Sequence, residues 1–86
     1  MRRFTITDLR RDIEEINNGL QEIGALVRFE ISPRNGYQAV DEYPIGGDGK
    51  RIGSGVNRMV GSGSSRETAL ECWQAYRGIQ RQTVTA

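Results

Sequence analysis

Six aliphatic residues near the N-terminus, Ile6, Leu9, Ile13, Ile16, Leu20 and Ile23, recur at steps of three and four. At 3.6 residues per turn this spacing puts all six on one stripe of a helix and leaves Arg11, Asp12, Glu15 and Glu22 for solvent. Such a stripe must be covered by a second layer, and its acidic polar side argues for core packing rather than a lysine-rich membrane-surface face. Thr5 with Asp8 fits an N-terminal capping arrangement, with Thr7 as a competing cap, and Gly24 is a natural left-handed stop. Gly19 lies inside the helix and costs about 1 kcal/mol relative to Ala.

The next segment changes period. Val27, Phe29 and Ile31 alternate with Arg28 and Glu30, as in a half-buried strand, and Asn35-Gly36 ahead of Tyr37–Tyr43 is a hairpin signal. A tight two-residue loop would set Glu30 against Asp41, two like charges. A three-residue loop with Gly36 left-handed instead pairs Val27 with Tyr43, Ile31 with Ala39 and Arg28 with Glu42, so the expectation is the bulged register. Gly46-Gly47-Asp48-Gly49-Lys50 reads as a flexible reversal, and Ile52–Val60 as a third strand weakened by Gly53 and Gly55. Ser64 with Glu67 forms a capping box, and Ala69, Leu70, Cys72, Trp73, Tyr76 and Ile79 mark a second helix to about Gln82, followed by a frayed tail.

The expected fold is therefore one α+β domain over residues 1–86 with an ordered core of about 5–82. Its order is αβββα, a three-stranded antiparallel sheet with both helices packed on one face. The expected core comprises Leu9, Ile13, Ile16, Leu20, Val27, Phe29, Ile31, Leu70, Trp73 and Tyr76. Arg28, Glu30, Gln38, Val40 and Glu42 are the candidates for the sheet face left open.

Length and composition bound the function. A chain of 86 residues holds one core, and with 36% hydrophobic residues and 11 glycines its expected stability is modest or supplemented by a homodimer partner. Neither a signal peptide nor a membrane span is legible, and the lone Cys72 cannot form an internal disulfide, so the default location is cytoplasmic. The net charge is only +1, without the bulk basic signature of a dedicated nucleic-acid binder. The charge is nonetheless polarised: residues 1–23 carry one excess acid, whereas residues 46–86 carry three excess bases. Eleven of the twelve bases are Arg, which suits bidentate contact with carboxylate or phosphate, although a GC-rich genome would produce the same bias.

Chemistry has little to work with. There is no histidine, and Lys50 is the only lysine, so a Ser or Cys nucleophile lacks a ready base. Asp41 and Glu42 are adjacent on a strand and point to opposite faces. Gly49-Lys50 lacks both flanking elements of a P-loop, and Gly53-Ser54-Gly55 fails the dinucleotide fingerprint. No catalytic residue, cofactor or metal ligand is assigned, and the expectation is a protein that is not an enzyme. Cys72 reads as a small buried hydrophobe, and Trp73 with Tyr76 as core. The start of the second helix, Gly61-Ser62-Gly63-Ser64-Ser65-Arg66, offers backbone N–H groups and an arginine to an anion, or else is a serine-capped turn. The candidate anion or nucleic-acid contacts are Arg34, Arg51, Arg58, Ser65 and Arg66.

The αβββα order, together with Gly61-Ser62-Gly63 leading into Ser65-Arg66-Glu67 and Ala69, resembles double-stranded-RNA-binding domains. As topology the resemblance spans Ile6 to about Gln82; as sequence it is confined to 61–69. That family implies RNA contact through lysines at the start of the second helix and a histidine in the first hairpin loop. Here Ser64–Ala69 holds one base and one acid, and Pro33-Arg34-Asn35-Gly36 has no histidine. Thr5–Leu9, Asn35–Gln38 and Gly63–Glu67 also resemble short motifs of small uncharacterised phage and prophage proteins. That likeness implies a mobile-element accessory protein and transfers no functional residues. The leading expectation is an accessory protein acting by protein–protein interaction; the alternative is weak RNA or DNA binding.

Overall fold

The computed structural model describes residues 3–34, 37–53, 56–60 and 64–85. Helix α1 (Ile6–Glu22) begins on a complete capping box: Asp8 N–H donates to Thr5 Oγ1 at 3.3 Å, and Thr5 N–H donates to Asp8 Oδ2 at 2.8 Å. It ends in a Schellman motif, with Ala25 N–H donating to Leu20 O, Gly24 N–H donating to Gln21 O, and Gly24 at φ +73°. The stripe Leu9, Ile13, Ile16 and Leu20 is buried. Tyr76 of α2 (Ser65–Thr85) packs where a side chain at Gly19 would sit, so the glycine that weakens α1 locally lets the helices approach.

Strands β1 (Val27–Arg34) and β2 (Tyr37–Pro44) pair antiparallel along their whole length. The register is shifted by one residue from the expected bulged one. Val27 faces Pro44, Arg28 faces Tyr43 and Glu30 faces Asp41. The turn at Asn35-Gly36 lies outside the described residues. Shifting β2 by one residue exchanges its two faces, so Val40 joins Phe29 in the core, and Glu42 stands opposite Phe29 on the helix side. The open face instead carries Arg28, Glu30, Asp41 and Tyr43, with Ala39 on the same side of β2 but fully buried; the side chain of Gln38 lies outside the described residues. The like-charge cost of Glu30 opposite Asp41 is offset by a third residue, Arg51, described below.

The expected three-stranded antiparallel sheet is corrected. Full-length pairing belongs to two strands only, β1 and β2. Strand β3 (Val56–Val60) is a five-residue segment on the free side of β2, and its register shifts between Val40 and Asp41. The sheet is thus a two-stranded antiparallel ribbon with a short, irregular addition, and the order that stands is helix, strand, strand, helix. The expected start at Ile52 fails because Pro44–Ile52 fold back into a hairpin of their own, leaving those residues unavailable for pairing with β2.

Both helices cover the face bearing Phe29 and Val40, α1 over β1 and α2 over β2 and β3. The α2 side of the core is made of small residues, Thr68, Ala69 and Cys72. This lets α2 sit close to the sheet and turns Leu70, expected in the core, out to solvent at 54% exposure. Val27, Ile31, Trp73 and Tyr76 are only partly buried at the rim of the core. Trp73 meets Tyr76 edge-on at 5.9 Å and donates to Asp12 Oδ2 at 3.3 Å, tying α2 to α1. The second helix runs to Thr85, past the expected end at Gln82.

The outer edge of β1 is guarded from within. Asn17 on α1 donates from Nδ2 to Phe29 O and accepts Phe29 N–H at Oδ1, both at 2.9 Å, as a neighbouring strand would. Pro33, two pairs of residues along the same edge, has no N–H to offer another strand.

Candidate functional site

The glycine-rich loop after β2 is an ordered hairpin rather than a flexible reversal. Gly46 N–H donates to Lys50 O at 2.8 Å, Gly49 N–H to Gly46 O at 2.9 Å and Ile52 N–H to Pro44 O at 2.9 Å. Asp48 Oδ1 accepts Lys50 N–H at 3.0 Å, and Gly49 holds φ at +84°, a conformation that favours glycine. This ladder sets Arg51 across from Ile45 and sends its side chain over the open sheet face.

There the Arg51 guanidinium makes three contacts. Nη1 donates to Glu30 Oε1 at 2.9 Å and Oε2 at 3.0 Å, Nε donates to Gly53 O at 3.0 Å, and Cζ lies 4.5 Å from the centre of the Tyr43 ring. The side chains of Arg51 and Glu30 remain 42% and 39% exposed, so the pair is a surface feature held in one geometry by its neighbours. Arg51 thereby supplies the positive charge that permits Glu30 to stand opposite Asp41.

Arg28 sits across β1–β2 from Tyr43. Its Nη1 donates to Ala25 O at 2.8 Å and to Val27 O at 2.7 Å, which fixes the guanidinium plane at the α1–β1 turn. Leu26, one residue before, is 57% exposed, and Ile52 at the foot of the hairpin is 59% exposed. The open face therefore runs from an arginine and aliphatic end, Leu26, Arg28 and Arg51, past Tyr43 to the acids Glu30 and Asp41.

Of the expected anion contacts Arg34, Arg51, Arg58, Ser65 and Arg66, the three with described side chains lie on two different elements. Arg51 belongs to the open face, away from the helices, whereas Ser65 and Arg66 begin α2 in the helix layer. Ser65 is half-buried and Arg66 exposed. Ser64 accepts Glu67 N–H at 3.3 Å through Oγ, so at this helix start the serine acts as a cap. Arg34 ends β1 and Arg58 lies within β3, and their side chains fall outside the described residues. Gly61-Ser62-Gly63 also lie outside them.

Sequence reasoning missed Asn17, Tyr43 and the pinning of Arg28. Asn17 alone had a legible signal, a poor helix former one residue past the buried Ile16. Cys72 is buried, and desolvation, followed by the nearby charges of Glu71 and Asp12, pushes its thiol up to about 12. A thiol so placed stays protonated and inert at neutral pH. Among the described residues no three His, Cys, Asp or Glu side chains gather as a metal-binding group, and no helix is long and apolar enough to cross a membrane.

No protein-family model matches the chain, and no curated protein and no solved structure matches it either.

Proposed function

We propose that this chain is a small non-catalytic accessory domain that binds another protein through the open face of its sheet. The observation that supports this most is the Glu30–Arg51–Tyr43 cluster beside Arg28. Arginine and tyrosine dominate the energetics of protein interfaces, and side chains already held by neighbours lose little freedom on association. The face mixes both charge signs with an aromatic ring and exposed Leu26, a composition that suits a protein surface better than a phosphate backbone. The likeness of the Thr5–Leu9, Asn35–Gln38 and Gly63–Glu67 motifs to phage and prophage proteins adds a mobile-element origin to the proposal.

Nucleic-acid binding through Arg34, Arg51, Arg58, Ser65 and Arg66 has less support. Arg51 is engaged by a carboxylate and turned away from the start of α2. The experiment is affinity capture from host lysate with and without nuclease. A stoichiometric protein retained after nuclease treatment is the expected result; a catch that vanishes with nuclease would overturn the proposal.

A further inference from the structure

Beside the arginine end of the open face lies a cleft of about 550 Å³, between the α1–β1 turn and the glycine hairpin, lined by Gln21, Leu26, Arg28, Ile45 and Asp48 together with glycine backbone. Arg28 Nη1 donates to the carbonyls of both Ala25 and Val27. The Nε and Nη2 donors are left on the other edge of the guanidinium, and among the described residues no carboxylate pairs with Arg28. Two parallel donors in a fixed plane are the arrangement that grips a carboxylate through both oxygens. The carboxylate that lines the cleft, Asp48, is folded back onto its own turn, where Oδ1 accepts Lys50 N–H. Leu26 adds an exposed aliphatic wall, and the glycines let an incoming backbone approach closely.

We propose that this cleft is a carboxylate-binding subsite that takes an acidic segment of a partner protein, with an aliphatic side chain of that segment resting on Leu26. The inference rests on the protein-binding reading and adds the chemistry of the partner. A single guanidinium–carboxylate contact is worth an order of magnitude or more in affinity when one partner is removed.

The test uses ¹⁵N-labelled full-length protein and a blocked peptide alternating leucine and aspartate, compared with the same peptide carrying asparagine and with acetate alone. The aspartate peptide should shift the Arg28 Nε–H signal and the amides of Gly46, Gly47 and Gly49, and bind about tenfold more tightly than either control. Arg28→Lys keeps the charge but loses the fork, and should weaken binding about tenfold. Because Arg28 also ties down the α1–β1 turn, Leu26→Asp serves as a second variant: it alters an exposed side chain, leaves Arg28 in place and should repel the peptide. Equal binding of the aspartate and asparagine peptides, equal binding by Leu26→Asp, or shifts confined to other surfaces would overturn the subsite. So would the absence of any shift at millimolar peptide. If the lysate partner is captured equally by wild type and Leu26→Asp, the subsite falls and the protein-binding reading stands; if neither captures a protein after nuclease treatment, the broader reading falls as well.

Discussion

Replacing Asn17 by Ala removes one side-chain amide and leaves two backbone groups of Phe29 without their partner. Phe29 is a centre of the core, at 1% exposure, and its N–H and C=O point out of the sheet toward α1. An unsatisfied buried polar group costs about 1 to 3 kcal/mol, so two would cost about 2 to 6 kcal/mol if both stayed dry. Asn17 is half-buried, and water reaching the vacated edge would recover roughly half of that sum. Alanine also returns about 0.6 kcal/mol of helix propensity. The expected net loss is about 1.4 kcal/mol, or roughly 6 to 11 °C in Tm for a domain this small. Urea denaturation of wild type, Asn17→Ala and Asn17→Asp would measure it. The aspartate variant keeps an acceptor for Phe29 N–H but faces a carboxylate oxygen toward Phe29 O. It should be at least as destabilised as the alanine variant at neutral pH and regain stability as its carboxyl is protonated. Hydrogen exchange supplies the refutation: a Phe29 amide that exchanges in the wild type as fast as exposed edge amides would show that Asn17 does not close this edge.

Four further outcomes follow from particular contacts. Ile16→Ala, at a fully buried position, should cost about 2 to 5 kcal/mol in the same denaturation assay. Gly19→Ala should lower stability by about 1 kcal/mol despite better helix propensity, because the new methyl displaces the Tyr76 phenol; a stabilised variant in thermal melts would contradict that packing. The thiol of Cys72 titrates near 9 in its ordinary state and near 12 when folded. Its contribution is therefore intact below pH 9 and lost as pH rises from 9 toward 12, and Cys72→Ser should flatten that alkaline limb of the stability curve. A double-mutant cycle on Glu30→Gln and Arg51→Gln should give a coupling of about 0.2 to 1 kcal/mol that shrinks with added salt, as an exposed pair requires.

Much of the architecture was legible because it depends on local pattern. The α1 stripe, the Thr5–Asp8 cap and the Gly24 stop all rest on residues within one or two turns of each other, and the structure has each of them. The β1–β2 register differs from the expected one partly because a compensating charge comes from a remote residue. A pairwise view of the hairpin sees Glu30 repelled by Asp41 and misses Arg51, which pairs with Glu30 from 21 positions downstream. That one-residue slip carried Val40 and Glu42 to the wrong face. Leu70 was misplaced for a related reason: apolar periodicity cannot tell a large rim residue from a small contact residue when Ala69 and Cys72 allow the helix to come close. The candidate site was half legible, since Arg51 was singled out, but its stacking on Tyr43 depends on a hairpin that the glycines of 46–49 make tight rather than loose.

We place the binding surface on the open sheet face and not at the start of α2. Its most direct test is capture from nuclease-treated lysate by wild type, by a Tyr43→Ser/Arg51→Ala double variant and by Arg66→Ala, with folding of each checked by circular dichroism. Wild type and Arg66→Ala should retain the same stoichiometric protein, and the double variant should lose it. Loss with Arg66→Ala while the folded double variant still binds would put the binding surface at the start of α2 instead.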